Sequence, residues 1–205
     1  RKGIPYDICP GVSSFCGAAS ALGMEYTLPD VTQSVVITRM AGRTPVPEKE
    51  SIRSFAAHGA SMVIFLSTGM LEELSQELTA GGYREDTPAA IVYKATWPGE
   101  KVVRCTVGTL KESAQREGIR KTALIIVGDS VAQSGYERSK LYDPVFTTEF
   151  RTGREDAGMG NIRPGTMYVV GMGPGSMDQM TGAALEALKR CQVIAGYTVY
   201  VDLIR

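Results

Sequence analysis

Two arginines in a proline-stiffened loop, Thr-Arg-Met-Ala-Gly-Arg-Thr-Pro-Val-Pro over residues 38–47, form a candidate anion-reading segment. A guanidinium is a planar fork of N–H donors that pairs bidentately with a carboxylate, so Arg39 and Arg43 suit a polyanionic organic ligand. Arg39, Arg43 and Thr44 are the candidate substrate contacts, and a solvated loop without a ligand accounts for them equally well at this stage. Three further stretches place small residues at the C-terminal ends of expected strands, where open α/β sheets bind ligands. They are Pro10-Gly11-Val12-Ser13-Ser14-Phe15, Phe65-Leu66-Ser67-Thr68-Gly69 and Tyr93-Lys94-Ala95-Thr96-Trp97-Pro98. Ser13 and Ser14 open an Ala-rich helix and offer amide and hydroxyl donors, although helix capping alone explains them. Capping explains Ser67 and Thr68 as well, and a bulge with Trp97 as packing anchor explains the third stretch. Gly171-Met172-Gly173-Pro174-Gly175-Ser176 departs from a dinucleotide fingerprint. The sixth position is Ser rather than Gly, and Pro174 has no N–H to offer a pyrophosphate, so a turn shaped for another ligand is expected.

The elements that must position these turns alternate short apolar runs with helix-period segments, which argues for an α/β fold. Strands are expected at 6–9, 34–38, 62–66, 89–93, 101–106, 123–127 and 167–170. Helices are expected from Gly17 to Gly23, around Ile52, Phe55 and Ala56 after Ser51, through Leu71, Leu74 and Leu78 up to Gly81-Gly82, from Leu110 to Glu117, and from Gly182 to Arg190 with Leu185 and Leu188 inward. Between Gly128 and Pro164 the apolar period fails, as in a linker or surface tail whose Ser-Lys-Leu-Tyr-Asp-Pro stretch at 139–144 can dock on the preceding domain. Residues 167–200 read like the opening of another α/β unit, and 4–9 like a strand in mid-domain. The chain is therefore expected to be an excerpt across a junction: a first lobe at 1–128, a tail and linker at 129–164, and the start of a second lobe at 165–205.

The totals exclude several classes. With 22 Lys plus Arg against 22 Asp plus Glu, no basic field advertises nucleic acid or anionic lipid, and a small molecule is the better default ligand. No apolar run approaches a membrane span and the first residues lack the zones of a signal peptide, so the cytoplasm is the expected compartment. Cys9, Cys16, Cys105 and Cys191 form no CxxC pair and are expected to be reduced, buried thiols. His58, the single histidine, precedes Gly59 at a helix end, where it caps rather than catalyses. No Ser/His/Asp, paired-carboxylate or metal-spaced set emerges, so no catalytic residue and no metal ligand is assigned.

Taken in order, residues 10–15, 34–47, 62–69, 93–100 and 123–128 resemble the later part of the tetrapyrrole (corrin and sirohaem) methyltransferases. The signatures at 38–47, Ala-Thr-Trp-Pro-Gly-Glu-Lys-Val-Val-Arg at 95–104 and the stretch at 139–144 are most similar to the precorrin-4 C11-methyltransferase branch of cobalamin biosynthesis. Residues 167–204 look instead like the start of the precorrin-3B C17-methyltransferase branch, as in a fusion of the two. The resemblance implies a first lobe built on a mixed sheet and S-adenosylmethionine held between two α/β lobes, with Ser13, Ser14, Leu66, Ser67, Ala95 and Thr96 lining its site and Pro174 doing so in the second unit. It implies a tetrapyrrole substrate edged with carboxylates, which suits Arg39 and Arg43, and a possible homodimer. The first unit's own N-terminal lobe is missing from the match, so a half-enzyme that keeps only part of the cofactor cleft is the alternative. A methyltransferase acting on RNA fits the neutral charge poorly.

Overall fold

In a computed structural model, residues 11–135, 147, 165–173, 177–196, 198–202 and 204 are described. The expected strand at 6–9, the stretch at 139–144 and Pro174 lie outside them. The chain divides into two compact units, Ser14–Ala157 and Arg1–Ser13 with Gly158–Arg205.

The first unit is built on β1 (Val35–Arg39), β2 (Ser61–Phe65), β3 (Pro88–Tyr93), β4 (Lys101–Thr106) and β5 (Ala123–Val127), interleaved with α1 (Ser14–Leu22), α2 (Ile52–Ala56), α3 (Leu71–Ala80) and α4 (Leu110–Arg116). Spatial order is β1-β2-β5-β3-β4, with β1 parallel to β2, and β5 antiparallel to both β2 and β3. The sheet is mixed, as expected. Its middle strands are covered on both faces, so they read as continuous apolar runs rather than alternating ones. Their period of two still sorts the side chains. Met62, Ile64, Ile91, Ile125 and Val127 pack with Leu74, Leu78 and Leu110 of the helices on one face. Val63, Val92, Leu124 and Ile126 pack with Ala18 and Leu22 of α1 on the other.

The helix ends follow local chemistry. The Ser51 hydroxyl accepts the Ser54 N–H at 3.2 Å and so starts α2. Gly118, at φ +69°, takes the left-handed conformation that ends α4 and frees the chain to enter β5. Ordered packing runs past Gly128, where the sequence loses its apolar period. The turn Asp129–Ala132, with Ser130 and Val131 buried, sets Ser130 Oγ 2.6 Å from Ser61 Oγ, and Ser61 Oγ in turn donates to the Tyr26 carbonyl at 2.6 Å. Arg104 ties this turn to α1, donating to Val131 O and Leu22 O at 2.8 Å each.

Two tyrosine hydroxyls are sunk in this unit. Tyr26 donates to Phe15 O at 2.7 Å and Tyr83 donates to Ala60 O. Burial pushes both up to about 12, helped by Cys16 at Tyr26 and by Asp129 at Tyr83. The unfolded phenols ionise near pH ~10 while the folded ones stay neutral, so stability is constant below about pH 10 and falls as pH rises from there through about 12. Denaturant midpoints measured across that window are expected to drop, and the drop is expected to shrink in Tyr26→Phe.

In the second unit, α5 (Gly182–Arg190) is capped by Thr181 Oγ1, which accepts the Ala184 N–H at 3.1 Å, and α6 (Thr198–Asp202) follows. Ala184 is buried, while Leu185 and Leu188 are half-buried. The expected strand at 167–170 does not form, and Val169 is 97% exposed. A strand needs a ladder partner, and among the described residues this unit supplies only helices and turns. Cys16 also departs from expectation by lying exposed, because it falls on the outer side of α1. Cys105 is half-buried, and desolvation pushes its thiol up to about 11, which keeps it unreactive.

Candidate functional site

The topology delivers the C-terminal ends of β1, β2 and β3 and the N-terminal end of β5 to one edge of the sheet. Hydrogen bonds lock these ends together. Ser67, fully buried, accepts the Met40 N–H at 3.0 Å and donates to Phe65 O at 2.7 Å, tying the exits of β1 and β2. Thr68 Oγ1 donates to Ala123 O at 3.3 Å, and the Lys94 N–H donates to Thr122 O at 3.1 Å, so β2 and β3 are both fastened to the entry of β5. Beyond β3 the Trp97 N–H returns to Lys94 O at 2.9 Å, and the Thr96 N–H binds a Glu100 carboxylate oxygen at 2.6 Å.

Four residues on these joints carry positive φ without being glycine: Leu66 (54°), Lys94 (51°), Thr96 (67°) and Thr122 (59°). The left-handed region costs an L-residue about 1–2 kcal/mol, and it is rarer still for β-branched threonine. Such strain concentrates where surrounding structure over-determines a site. Here it turns Leu66 outward, 86% exposed, at the lip of a cleft of about 420 Å³. Ser14, Phe65, Leu66, Gly69, Val92, Ala95, Trp97, Thr122 and Leu124 line that cleft together with the basic Lys94, Arg120 and Lys121. The walls are mostly apolar with a few polar groups at the mouth, and the size suits a small organic ligand. Helix α1 closes one side. A Cβ at Gly17 would lie 3.5 Å from Thr96 Cγ2 and 3.6 Å from Ala95 Cβ, so the helix rests directly on the turn after β3.

Of the residues singled out from sequence, Ser14, Leu66 and Ala95 line this cleft. Ser67 lies beneath it, its hydroxyl spent on the backbone, and Thr96 is exposed in the same turn as Ala95. Ser13 is exposed immediately before α1. Arg39, Arg43 and Thr44 are not among the lining residues. The Arg39 guanidinium is turned onto its own loop, with Nη1 donating to Met40 O at 3.0 Å and Thr44 O at 3.1 Å, and Nη2 to Pro45 O at 3.1 Å. The loop is closed further by the Gly42 N–H bonding Thr44 O at 3.2 Å, and Arg43 is left exposed on it. Arg39 thus holds the loop, and Arg43 is the guanidinium it displays. Arg39→Gln removes three backbone hydrogen bonds, each worth about 1 kcal/mol, and trypsin is expected to cut after Arg43 about tenfold to a hundredfold faster. An unchanged cleavage rate would show that the clamp does not set the loop.

Arg120, Lys121 and Thr122 were not anticipated as site residues. They precede a strand, whereas strand C-termini are where ligands are sought, and only the antiparallel insertion of β5 between β2 and β3 brings them to the same edge.

The family model of the Tetrapyrrole (Corrin/Porphyrin) Methylases matches residues 1–111 and 166–205. The chain belongs to this family. Over 151 residues it is 51% identical to a cobalt-precorrin-4 C(11)-methyltransferase of Methanocaldococcus jannaschii, a match covering 74% of this chain and 58% of that protein. A solved cobalt precorrin-4 methyltransferase superposes with a TM-score of 0.60 at 46% identity, covering 61% of this chain and 52% of that one. A uroporphyrin-III C-methyltransferase from Thermus thermophilus, solved with S-adenyl homocysteine, shares the fold at 24% identity and a TM-score of 0.51, with 64% and 56% covered. The chain thus spans somewhat more than half the length of the relatives it matches. The two matched segments of the family model are separated by residues 112–165. No helix among the described residues is long and apolar enough to cross a membrane.

Proposed function

We propose that this chain carries the C-terminal lobe of an S-adenosylmethionine-dependent enzyme that methylates precorrin-4 or cobalt-precorrin-4 at C11 in cobalamin biosynthesis. In this proposal residues 1–128 form that lobe, 129–164 a tail and linker, and 165–205 the start of a C17-methyltransferase lobe. The enzyme works in the cytoplasm on a small tetrapyrrole, as a homodimer. One observation carries the proposal: the strained, cross-bonded strand ends form a small-molecule cleft in a chain 51% identical over 151 residues to a cobalt-precorrin-4 C(11)-methyltransferase.

The residues present suit the cofactor. Leu66 and Ala95 offer apolar surface for a flat heterocycle, and the Ser14 hydroxyl lies at the cleft. Thr96 borders the same turn, and Ser67 fixes the loop that carries Leu66. When bound, S-adenosylmethionine supplies an already activated methyl on sulfur, and the acceptor is an electron-rich ring carbon. The protein then has no need to supply a nucleophile. Its part is to hold donor and acceptor in line and to exclude water, worth about 7–11 kcal/mol at best. The Ser67 and Thr68 bonds serve this by fixing Leu66 and the strand ends to within the tolerance that alignment demands. Pro174 is the corresponding cofactor contact of the second lobe in this proposal. The exposed Arg43, displayed by the loop that Arg39 and the Thr44 carbonyl hold closed, meets substrate carboxylates.

A second possibility has its own support, since the M. jannaschii match covers only 58% of that protein: a half-enzyme that keeps part of the cleft without activity. Transfer of labelled methyl from S-adenosylmethionine to cobalt-precorrin-4 separates the two. It would be measured for the chain alone and for the chain supplemented with the N-terminal lobe of the M. jannaschii enzyme. Label on the macrocycle in either mixture supports the proposal, and none in both leaves the half-enzyme.

A further inference from the structure

Among the described residues the cleft is lined by Lys94, Arg120 and Lys121 and by no carboxylate, in a chain whose charges balance overall at 22 against 22. None of the three forms an ion pair with a described residue. They are not scattered along one flexible loop. The Lys94 N–H bonds Thr122 O at 3.1 Å, which joins the turn after β3 to the segment entering β5, and Ile119 is buried just before Arg120. The Lys94 ammonium lies 5.2 Å from the centre of the Tyr93 ring, a spacing at which the ring face attracts it and limits where it swings. Beside these cations stands Trp97, the chain's single tryptophan, 61% exposed on the same rim.

We propose that Lys94, Arg120 and Lys121 form a carboxylate-reading rim on this cleft, with Trp97 as the flat surface beside it, for the acidic side chains of a tetrapyrrole. This rests on the methyltransferase proposal and adds specificity-determining residues apart from the Arg39–Pro45 loop. Charge decides which ligand the rim serves. S-adenosylmethionine carries a sulfonium and an ammonium against one carboxylate and is net cationic, so its hold on the cleft comes from the apolar walls and not from these three cations. A macrocycle fringed with acetates and propionates gains from each of them. Steering by such a rim acts at a distance and weakens as salt screens it.

Trp97 supplies the reporter. The full chain is titrated with uroporphyrin I, a planar macrocycle with eight carboxylates, while quenching of Trp97 emission is followed at low and at high salt. The titration is repeated with Lys94→Gln/Arg120→Gln/Lys121→Gln, whose melting temperature checks the fold. S-adenosylhomocysteine affinity is measured on both proteins by calorimetry. The expected result is an apparent Kd for uroporphyrin that rises about tenfold or more in the variant, the scale of several exposed ion pairs lost together, with its salt dependence flattened. S-adenosylhomocysteine affinity is expected to change by less than about twofold, too little to reflect a lost ion pair. No quenching of the wild-type chain, an unchanged porphyrin affinity in the variant, or a loss confined to S-adenosylhomocysteine overturns the rim. Porphyrin binding that depends on the cations, in a chain that does not bind S-adenosylhomocysteine, leaves the rim standing and removes the cofactor assignment instead.

Discussion

Alanine at Gly81 is expected to lower the unfolding free energy by about 1–3 kcal/mol, the usual cost of overpacking. A Cβ there would lie 2.5 Å from both Ala56 Cβ and Arg53 O, and one of these is backbone that cannot swing aside. Gly81 has φ −88°, a conformation any residue adopts, so the loss is steric and owes nothing to backbone strain. Its absent side chain is what lets the end of α3 press against α2, and these two helices cover the face of β2 that carries Met62 and Ile64. Gly17→Ala is the matched control. Its Cβ meets nothing nearer than 3.5 Å, and a helical Gly→Ala change in an unstrained site stabilises by about 0.5–1 kcal/mol. Denaturant titration of both variants is expected to give shifts of opposite sign. Equal stability of Gly81→Ala and the wild type would show that the helices do not meet as described.

Glycine at Leu66 is expected to separate folding from binding. The leucine is 86% exposed and sits at φ 54°, so the folded chain gains little from its side chain and bears the left-handed backbone. Relief of about 1 kcal/mol is partly offset by the greater freedom of an unfolded glycine, leaving stability unchanged or raised by up to about 1 kcal/mol. Ligand affinity moves the other way. A leucine that becomes buried on binding is worth about 1.5–3 kcal/mol, so S-adenosylhomocysteine is expected to bind about tenfold to a hundredfold more weakly. A variant that is destabilised and binds normally would make Leu66 a packing residue and remove the functional meaning of its strain.

Particular residues show where the sequence was legible. Leu71, Leu74 and Leu78 recur at helical spacing, and all three are buried on α3. The apolar runs at 89–93 and 123–127 form strands, in keeping with their shortness, their Ile and Val content and their burial on both faces. Strand ends were legible as stretches of small residues at 10–15, 65–69 and 93–98, whereas Leu66 and Ala95 were singled out within them only through the family resemblance. Ser67 shows the limit of that approach: composition locates a serine at a turn, and only the fold shows its hydroxyl spent on Met40 and Phe65. Arg39 is the same lesson with a cation, since a guanidinium suited to a carboxylate is equally suited to three carbonyls a few residues on. Arg120 and Lys121 escaped because strand order is not written in any local pattern. The segment at 167–170 has strand composition without a described strand beside it, and composition cannot supply a ladder.

The most direct test of the cleft as a cofactor site is calorimetric titration of the full chain with S-adenosylhomocysteine, beside the same titration of Gly69→Trp. Gly69 lines the cleft, and a Cβ there meets no heavy atom within 4 Å, so a large side chain can enter without disturbing the fold. Saturable binding by the wild-type chain that is lost in Gly69→Trp, with both proteins melting alike, is the predicted result. Equal binding by the two would place the cofactor elsewhere and contradict the account.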